Sequence, residues 1–322
     1  MRTLVTGGAG YIGSHVCKAL ALAGHQPIVF DNLVHGHADA VKWGPLVEGD
    51  ILDNAALDRV MREYRPDLVM HFAAFAYVGE SVDQPSKYYG NNVGGSLSLL
   101  EAMRRNDVES IIFSSTCATY GVPDELPINE TTPQRPINPY GFTKVAVERA
   151  LADYGAAYGL KWVAMRYFNA AGADPAGDIG ERHDPETHAI PLAIKAAFGT
   201  AARFGVFGAD YPTPDGSALR DYIHVSDLAS AHVAAIDYLC AGGESTAINL
   251  ATERPVSVFE ILRAVREATG RAAPFDVMPR RSGDPPALYA RADKARRLLN
   301  FEPRHTSIGE IVDSAARWFA HA

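Results

Sequence analysis

Cysteine is scarce in this chain, and neither long basic runs nor long apolar runs occur in it. Its 322 residues include three cysteines, Cys17, Cys117 and Cys240, which lie far apart. An odd number of widely spaced cysteines argues against a disulfide framework and indicates a reducing compartment. No apolar run reaches the length that a membrane-spanning helix requires. A strand predicted at the very first residues leaves no room for a signal peptide, so we expect a cytoplasmic protein.

The charge balance restricts the partners in the same way. The formal net charge is −8 and no basic cluster stands out, which argues against nucleic acid as a partner. The eleven histidines are scattered without the spacing of metal ligands, so we expect no metal site. A hydrophobic content of 47% and a charged content of 21% are typical of a globular protein with an ample core. We expect a small-molecule ligand, and an anionic one would be held by helix N-termini and a few arginines.

The first fifteen residues carry the strongest local signal. Leu4 and Val5 indicate a buried strand, the glycines at positions 7, 10 and 13 form a tight turn, and a helix is predicted from Tyr11 to Ala23. These glycines allow a sharp reversal, a close approach of the backbone to a pyrophosphate and tight packing of the helix on the strand. An ordinary turn between a strand and a helix uses glycine too. The context, with a strand before the turn and a helix after it, favours a dinucleotide site.

Short apolar runs then alternate with amphipathic segments. This alternation predicts an α/β fold with a doubly wound parallel sheet of the Rossmann type and helices on both faces. We predict strands at Pro27–Asp31, Leu46–Ile51, Leu68–Ala74, Ser110–Thr116 and Lys161–Phe168, and helices from the cap Asn54 to Tyr64, at Ser86–Arg105 and at Pro139–Tyr158.

From Asn169 onward, prolines and glycines interrupt the pattern. Regular segments return at Arg220–Leu239, with Asp227 as the predicted helix cap, at Val258–Thr269 and at Ser307–Phe319, and Pro279–Pro286 is predicted to be an irregular loop. We therefore expect a sheet domain over residues 1–168 and a smaller C-terminal α/β substrate-binding domain over residues 169–322. Part of 219–250 is expected to return to the sheet.

Asp31 ends the predicted second strand, 18 residues after Gly13. A carboxylate there is placed to accept hydrogen bonds from an adenosine ribose, and its charge would repel a 2′-phosphate, which favours NAD over NADP. A simple cap of the strand end is the alternative role for this residue.

Tyr140 and Lys144 lie four residues apart near the start of a predicted helix, so they share one face. A lysine ammonium beside a phenol is expected to lower the pKa of the phenol from its ordinary value of about 10. Such a tyrosine can act as a general base on an alcohol. The alternative to this catalytic role is that Tyr140 and Lys144 form an ordinary exposed pair on the helix surface. Thr116 favours the catalytic interpretation, because its hydroxyl is predicted at the carboxyl end of a strand, on the opposite face from Ser115.

Together these motifs resemble the extended short-chain dehydrogenases/reductases, and more closely the branch that epimerises UDP-sugars. The resemblance extends over nearly the whole chain. It rests on the G-x-x-G-x-x-G turn, the Thr116 hydroxyl, Y-x-x-x-K, and the segments Thr6–His15, Asp31–Leu33, Glu48–Ile51, Val78–Ser81, Tyr88–Tyr89, Asn91–Val93, Arg166–Asn169, Asp210–Thr213 and Arg220–His224.

The resemblance implies a tightly retained NAD and inversion of C4 of a UDP-hexose through a 4-keto sugar. The implied catalytic residues are Thr116, Tyr140 and Lys144. The implied cofactor residues are Gly7, Gly10, Tyr11, Ile12, Gly13, Asp31, Asn32, Asp50, Ile51, Phe72, Ala73, Ala74, Asn91, Tyr140, Lys144 and Phe168. The implied UDP-sugar residues are Thr116, Asn169, His188, Gly205, Val206, Phe207, Arg220, Arg281, Asp284 and Leu288. A homodimer through the two long helices is implied as well.

Three positions depart from the pattern of these relatives. Thr116 replaces a common serine, Ala76 replaces a lysine that contacts the cofactor in some members, and Leu288 replaces a bulky tyrosine that restricts the sugar pocket. The smaller Leu288 suggests that N-acetylated UDP-hexosamines are also accepted. A UDP-pentose 4-epimerase stays open as an alternative. A sugar-nucleotide 4,6-dehydratase is less well supported, because Cys117 and Ala118 follow Thr116 where that chemistry uses acidic residues.

Overall fold

A seven-stranded parallel sheet forms the larger part of the structure, in the order β3–β2–β1–β4–β5–β6–β10. The computed structural model describes residues 1–281 and 284–321. This sheet, covered by helices on both faces, confirms the predicted doubly wound α/β fold. Its strands are β1 (Arg2–Thr6), β2 (Gln26–Asp31), β3 (Leu46–Glu48), β4 (Leu68–His71), β5 (Ser110–Ser114), β6 (Lys161–Tyr167) and β10 (Thr246–Leu250).

The remaining strands form two small sheets. Of these, β7 (Asn169–Ala171), β9 (Leu219–His224), β11 (Pro255–Ser257) and β13 (Ala287–Leu288) form a four-stranded sheet, and β8 (Phe204–Phe207) pairs with β12 (Phe275–Met278). The edge strand β10 lies in the large sheet although it is distant in sequence, since Ile248 pairs with Met165 of β6. The chain thus crosses to the small sheets and returns. The domain boundary near residue 168 stays a prediction.

Helices cover both faces of the large sheet and pack around the small ones. They are α1 (Tyr11–Leu22), α2 (Asn54–Tyr64), α3 (Val78–Asp83), α4 (Pro85–Tyr88), α5 (Ser96–Arg105), α6 (Pro139–Tyr158), α7 (Ala189–Phe198), α8 (Val225–Cys240), α9 (Val258–Thr269), α10 (Asp293–Leu299) and α11 (Ile308–His321). In the described residues no helix combines the length and the apolar composition that crossing a membrane would require.

Three buried clusters fill the spaces between these layers. Val16 of α1 and Ile236 of α8 pack against one face of the large sheet. Leu57 of α2 and Leu99 of α5 pack against the other face. The third cluster joins α7, α9 and α11 beside the small sheets. Because burial of apolar area is the main driving force of folding, the first two clusters hold the sheet rigid between its helices.

Several predicted boundaries shift in the structure. The predicted helix Ser86–Arg105 is divided by a π-helical stretch at Tyr89–Gly95. Asp53, not Asn54, caps α2, because its carboxylate accepts from the backbone of Ala55 and Ala56. The segment Arg220–Leu239 is a strand followed directly by a helix, and His224, not Asp227, caps that helix. Of the predicted loop Pro279–Pro286, Ser282 and Gly283 lie outside the described residues.

Candidate active site

The glycine turn connects β1 to α1 and leaves the helix N-terminus without a side-chain cap. Gly10 occupies the cap position, and the first turn of α1 contains no acidic residue. Gly7 adopts a φ of +72°, and a Cβ on Gly13 would lie 2.2 Å from the carbonyl oxygen of Gly7. The turn therefore requires glycine at both positions. The uncapped N–H groups of Tyr11 and Ile12 and the helix dipole present a site for an anion.

Asp31 supports this turn from the end of β2. Its Oδ2 accepts from the backbone N–H of Ala9 at 2.9 Å, and its Oδ1 accepts from Leu33 at 2.9 Å. Burial raises the pKa of the Asp31 carboxyl, although these two backbone hydrogen bonds oppose the shift. Next to it, the amide of Asn32 donates to Oδ2 of Asp50 at 2.9 Å. Three predicted cofactor residues thus meet at one edge of the sheet.

The loop after β4 runs beside the glycine turn. The backbone N–H groups of Phe72 and Ala73 both donate to the carbonyl of Thr6, at 2.9 and 3.1 Å. The side-chain amide of Asn92 fixes the segment at Phe75. Its oxygen accepts from the Phe75 N–H, and its nitrogen donates to the Phe75 carbonyl, both at 2.9 Å. The predicted residue Asn91 donates to Asn92 at 3.0 Å. Sequence reasoning selected Asn91 and missed the bracing role of its neighbour.

These features fit a dinucleotide. The uncapped end of α1 suits a pyrophosphate, and the polar group of Asp31, Asn32 and Asp50 lies at the neighbouring strand end. Nε2 of His35, four residues beyond Asp31, is buried without a hydrogen-bond partner. A buried polar atom without a partner is costly in a folded chain, so a ligand group at this position would stabilise it.

Thr116, Tyr140 and Lys144 meet beyond the carboxyl end of β5. Asn138 caps α6 by accepting a hydrogen bond from the backbone N–H of Gly141, and Pro139 fills the first helical position, so Tyr140 lies in the first turn of the helix. One turn later, Nζ of Lys144 donates to the carbonyl of Ser114 at 2.7 Å. The side chain of Thr116 lies near the Tyr140 phenol and acts to lower its pKa. The three predicted catalytic residues therefore lie together, and all three are at least half-buried.

The electrostatics of this group differ from the sequence expectation. Burial raises the pKa of Tyr140 to about 12, and the hydrogen bond from Thr116 only partly opposes the shift. Burial also lowers the pKa of Lys144 to about 7. The lysine is directed at the Ser114 carbonyl and lies 5.9 Å from the Tyr140 ring centroid, so it does not lower the pKa of the phenol in the chain alone. A further positive charge beside the phenol would be required for that.

A buried polar network lies behind Thr116. The hydroxyl of Ser115 donates to Oε1 of Glu148 at 2.5 Å. The guanidinium of Arg166 donates to both oxygens of Glu148, and Tyr120 accepts from Arg166 at 2.9 Å. Ser115 thus faces away from the catalytic group, as strand alternation predicts. The sequence analysis did not select Glu148, although its position four residues after Lys144 on the same helix face was a usable signal.

Several predicted substrate residues lie around the small sheets. Arg220 on β9 donates to Asp284 at 2.7 Å, and the Arg281 guanidinium stacks on the Phe207 ring at 3.7 Å from its centroid. Gly205 and Val206 precede Phe207 on β8. Leu288 on β13 pairs with Arg220, and the side-chain amide of Asn169 donates to the Asp221 carbonyl at 3.0 Å.

Arg220 links these residues to the catalytic group. Burial raises the pKa of the Cys117 thiol to about 12, while the nearby Arg220 charge and a hydrogen bond with Thr116 oppose the shift. A guanidinium therefore lies close to the residue that follows Thr116. The neutral, buried thiol also leaves no acidic group directly after Thr116, which disfavours elimination chemistry.

Phe168 and His188 occupy different surroundings. Phe168 is buried between β6 and β7. His188 precedes α7, and its Nδ1 is hydrogen-bonded to the Glu181 carboxylate. The described ionic partners of its side chain are the acidic side chains of Glu181 and Glu186 in its own loop.

Comparison with known proteins places this geometry in context. Residues 3–251 match the model of the NAD dependent epimerase/dehydratase family. A UDP-glucose 4-epimerase of Rhizobium leguminosarum bv. trifolii is 53% identical over 98% of this chain and 97% of its own length.

Solved structures agree with that match. The crystal structure of UDP-glucose 4-epimerase from Brucella ovis in complex with NAD superposes with a TM-score of 0.97 at 54% identity, covering 99% of this chain and 98% of that one. The enzyme from Bifidobacterium longum in complex with NAD⁺ and UDP gives 0.94 at 38% identity, with 99% and 98% covered.

Proposed function

Since the chain belongs to the NAD dependent epimerase/dehydratase family, we propose that it is an NAD-dependent isomerase that inverts C4 of UDP-hexoses, interconverting UDP-glucose and UDP-galactose. The observation that carries this proposal is the contact between Tyr140 and Thr116, with Lys144 one turn along the same helix. A phenol and a hydroxyl that lie side by side at the end of a parallel strand can transfer the proton of a sugar alcohol.

NAD, when bound, supplies the group that accepts and returns hydride at C4 of the sugar. The N–H groups of Tyr11 and Ile12 would hold its pyrophosphate and Asp31 and Asn32 its ribose. Thr116 orients the 4-hydroxyl of the sugar toward Tyr140, and the phenolate of Tyr140 removes the proton from that hydroxyl. When the configuration at C4 has inverted, Tyr140 returns the proton to the sugar oxygen. The hydrogen bond from Thr116 stabilises the phenolate in both directions.

The buried phenol needs positive charge to reach its ionised form near neutral pH. Its pKa is about 12 in the chain alone because burial disfavours the anion. Lys144 is within the same buried space, and the positive ring of the oxidised cofactor adds charge of the same sign.

The diphosphate of the substrate requires cations near the catalytic group. Arg220 lies close to Cys117 and Arg281 lies over Phe207, so both guanidinium groups border the small sheets. Guanidinium forks bind phosphate oxygens in pairs, which suits a UDP anchor. The sugar then contacts few charged groups and can present either face.

A homodimer and a cytoplasmic location complete the proposal. Exposed apolar side chains on the helices favour the dimer, since Leu97 on α5 is 38% exposed and Phe142 on α6 is 49% exposed. A cytoplasmic location agrees with three free cysteines.

The deciding experiment incubates the purified protein with UDP-galactose and, in a separate reaction, with UDP-xylose, both without added NAD, and separates the products by chromatography. UDP-glucose should form in the native protein, and Tyr140→Phe should lower the rate roughly 10²- to 10⁴-fold. Tyr158→Phe, at an exposed position on the same helix, is the matched control. Absence of turnover in protein that contains bound NAD would overturn the proposal, and turnover of UDP-xylose alone would assign a pentose substrate instead.

A further inference from the structure

Two glutamates and two histidines converge in the segment that leads into α7. Glu181, His183, Glu186 and His188 each offer one ligand atom, and these four atoms all lie within 4.8 Å of one another. Nδ1 of His183 lies 3.0 Å from Glu181 and 4.0 Å from Glu186, and Nδ1 of His188 lies 3.8 Å from Glu186. No metal site was expected from the sequence, because the histidines are scattered without the spacing of metal ligands.

The charge of this group needs a counterpart. The carboxylate side chains of Glu181 and Glu186 are only 3% and 4% exposed. With neutral histidines the group carries two buried negative charges, which is costly unless they are paired. Two protons on the histidines or one divalent cation would neutralise it equally well.

Two polar atoms at the same place lack partners. Oε2 of Glu186 and the hydroxyl of Tyr77 are both buried without a hydrogen bond. The Tyr77 ring packs edge-on against His183 at 6.0 Å between centroids. Protonated histidines would leave both atoms unsatisfied. A cation with a bound water at this place could satisfy them.

We propose that Glu181, His183, Glu186 and His188 form a binding site for a divalent transition-metal cation of the zinc class. Imidazole nitrogens with carboxylate oxygens are ligands that Zn²⁺ accepts, at about 2.0–2.2 Å from the metal. A tetrahedral arrangement at that length separates ligand atoms by roughly 3.4 Å. The distances here of 3.0, 3.8 and 4.0 Å bracket this value, whereas the contact between Glu181 and His188 is shorter and would have to lengthen on binding. Displacing two protons from the histidines keeps the site neutral when the cation binds.

A cation at this site would link the segment that precedes α7 to α1, which begins at the proposed cofactor site. Tyr11, in the first turn of α1, packs edge-on against His183 at 6.1 Å and donates from its hydroxyl to the Gly172 carbonyl at 2.6 Å. From the other side, the indole N–H of Trp318 donates to the Glu181 carbonyl at 3.0 Å. A cation bound here therefore rigidifies the segment that runs from Gly172 to α7 against α1.

The test uses the holoprotein after dialysis against a chelator. A second group of possible metal ligands near the N-terminus must first be removed so that it does not compete for the cation. There Cys240 lies 3.5 Å from the Met1 sulfur, and His25 lies 3.3 Å from the N-terminal amine. The background is therefore Cys240→Ser with His25→Ala. Calorimetric titration with ZnCl₂, in two buffers that differ in ionisation enthalpy, should give one Zn²⁺ per chain with release of protons. Titration with MgCl₂ should give no comparable binding.

Variants in the same background assign the ligands. Glu181→Gln and His183→Ala should each weaken Zn²⁺ binding about 100-fold or more, and the control His321→Ala, at an exposed position, should leave it unchanged. Substitution with Co²⁺ tests the native ligands directly, because a tetrahedral site gives an intense visible absorption band and an octahedral one does not. Failure of the background protein to bind Zn²⁺, unchanged affinity in both variants, or a weak octahedral Co²⁺ spectrum would overturn the proposal. None of these outcomes bears on the proposed epimerase function, which the separate activity assay tests.

Discussion

Ser115, the residue immediately before Thr116, donates a hydrogen bond from its hydroxyl to Glu148 at 2.5 Å. The contact joins the end of β5 to the middle of α6, which also carries Tyr140. Arg166 on β6 holds the other oxygen of the same carboxylate. The ion pair of Glu148 and Arg166 therefore helps to fix the position of Thr116 relative to Tyr140.

Glu148→Gln should disturb this arrangement. Arg166 and Glu148 are 8% and 6% exposed, so removing the carboxylate charge leaves a buried cation poorly paired and should cost about 3 kcal/mol of unfolding free energy. Because a small misplacement of Thr116 is costly to the reaction, kcat should fall roughly 10- to 100-fold. KM for the UDP-sugar should change little. Denaturant titration and steady-state kinetics measure the two effects.

Arg149→Gln serves as the matched control for that variant. Arg149 pairs with Asp153 on the same helix, but the two side chains are 78% and 59% exposed. Exposed pairs contribute less than about 1 kcal/mol, so stability and kcat should stay close to those of the native protein. A Glu148→Gln variant with native kcat would refute the positioning role.

Gly13→Ala should impair cofactor retention. The added Cβ would lie 2.2 Å from the Gly7 carbonyl and 2.8 Å from Cα of Gly8, and these backbone atoms cannot move without opening the turn. Overpacking of this kind costs about 1–3 kcal/mol, and the NAD content of the purified protein should fall with it. Gly90→Ala, where a Cβ meets nothing within 4 Å, should leave both quantities near native. Equal NAD content in the two variants would contradict the expectation.

Lys144 should make the stability of the NAD-free chain depend on pH. Burial lowers its pKa to about 7, whereas in the unfolded chain it stays near 10.5. Below pH 7 both states hold the proton, and the folded state bears the full cost of a buried ammonium. Between pH 7 and 10.5 the unfolded state binds more protons, so unfolding free energy should rise with pH through this window.

The variant Lys144→Met isolates this contribution. Methionine is similar in length and does not titrate, so the difference between the native and variant free energies of unfolding should change with pH only in that window. Denaturant titrations at several pH values measure it. A difference that is constant from pH 6 to pH 10 would show that the buried lysine keeps its ordinary pKa of 10.5.

Leu288→Tyr should narrow the range of sugars. Leu288 pairs with Arg220 on β9 and is only partly buried, so a larger side chain would occupy space beside the proposed diphosphate anchor. We expect the native protein to epimerise UDP-N-acetylglucosamine and the variant to lose that activity while retaining UDP-galactose turnover. Parallel assays with both substrates give the answer, and native protein without any N-acetylhexosamine turnover would disprove the idea.

The helices with clear end signals were predictable from the sequence. Helix α6 begins at Pro139 after the cap Asn138 and ends at Tyr158, where Gly159 follows with a φ of +77°, and these boundaries match the prediction. Helix α9 starts with a capping box formed by Ser257 and Glu260 and also matches. Local chemistry decides such boundaries, so local sequence reveals them.

The errors arose where distant contacts decide. His224 ends a strand and begins a helix without a loop, and its pairing with β7 is invisible in the sequence around it. The pKa of Tyr140 followed burial and not the neighbouring lysine, because the residue pattern cannot show where an ammonium is directed. The convergence of Glu181 and His188 likewise depends on how a glycine- and proline-rich segment folds back on itself.

The pairing of β10 with β6 affects how the chain is made. Residues 246–250 complete the edge of the large sheet, so a nascent chain that has emerged only as far as residue 168 exposes the unpaired backbone groups of β6. An open edge strand is a template for association with other chains. Synthesis of the intervening segment therefore sets a period during which the growing polypeptide is vulnerable to aggregation. Expression of the first half alone should yield insoluble protein.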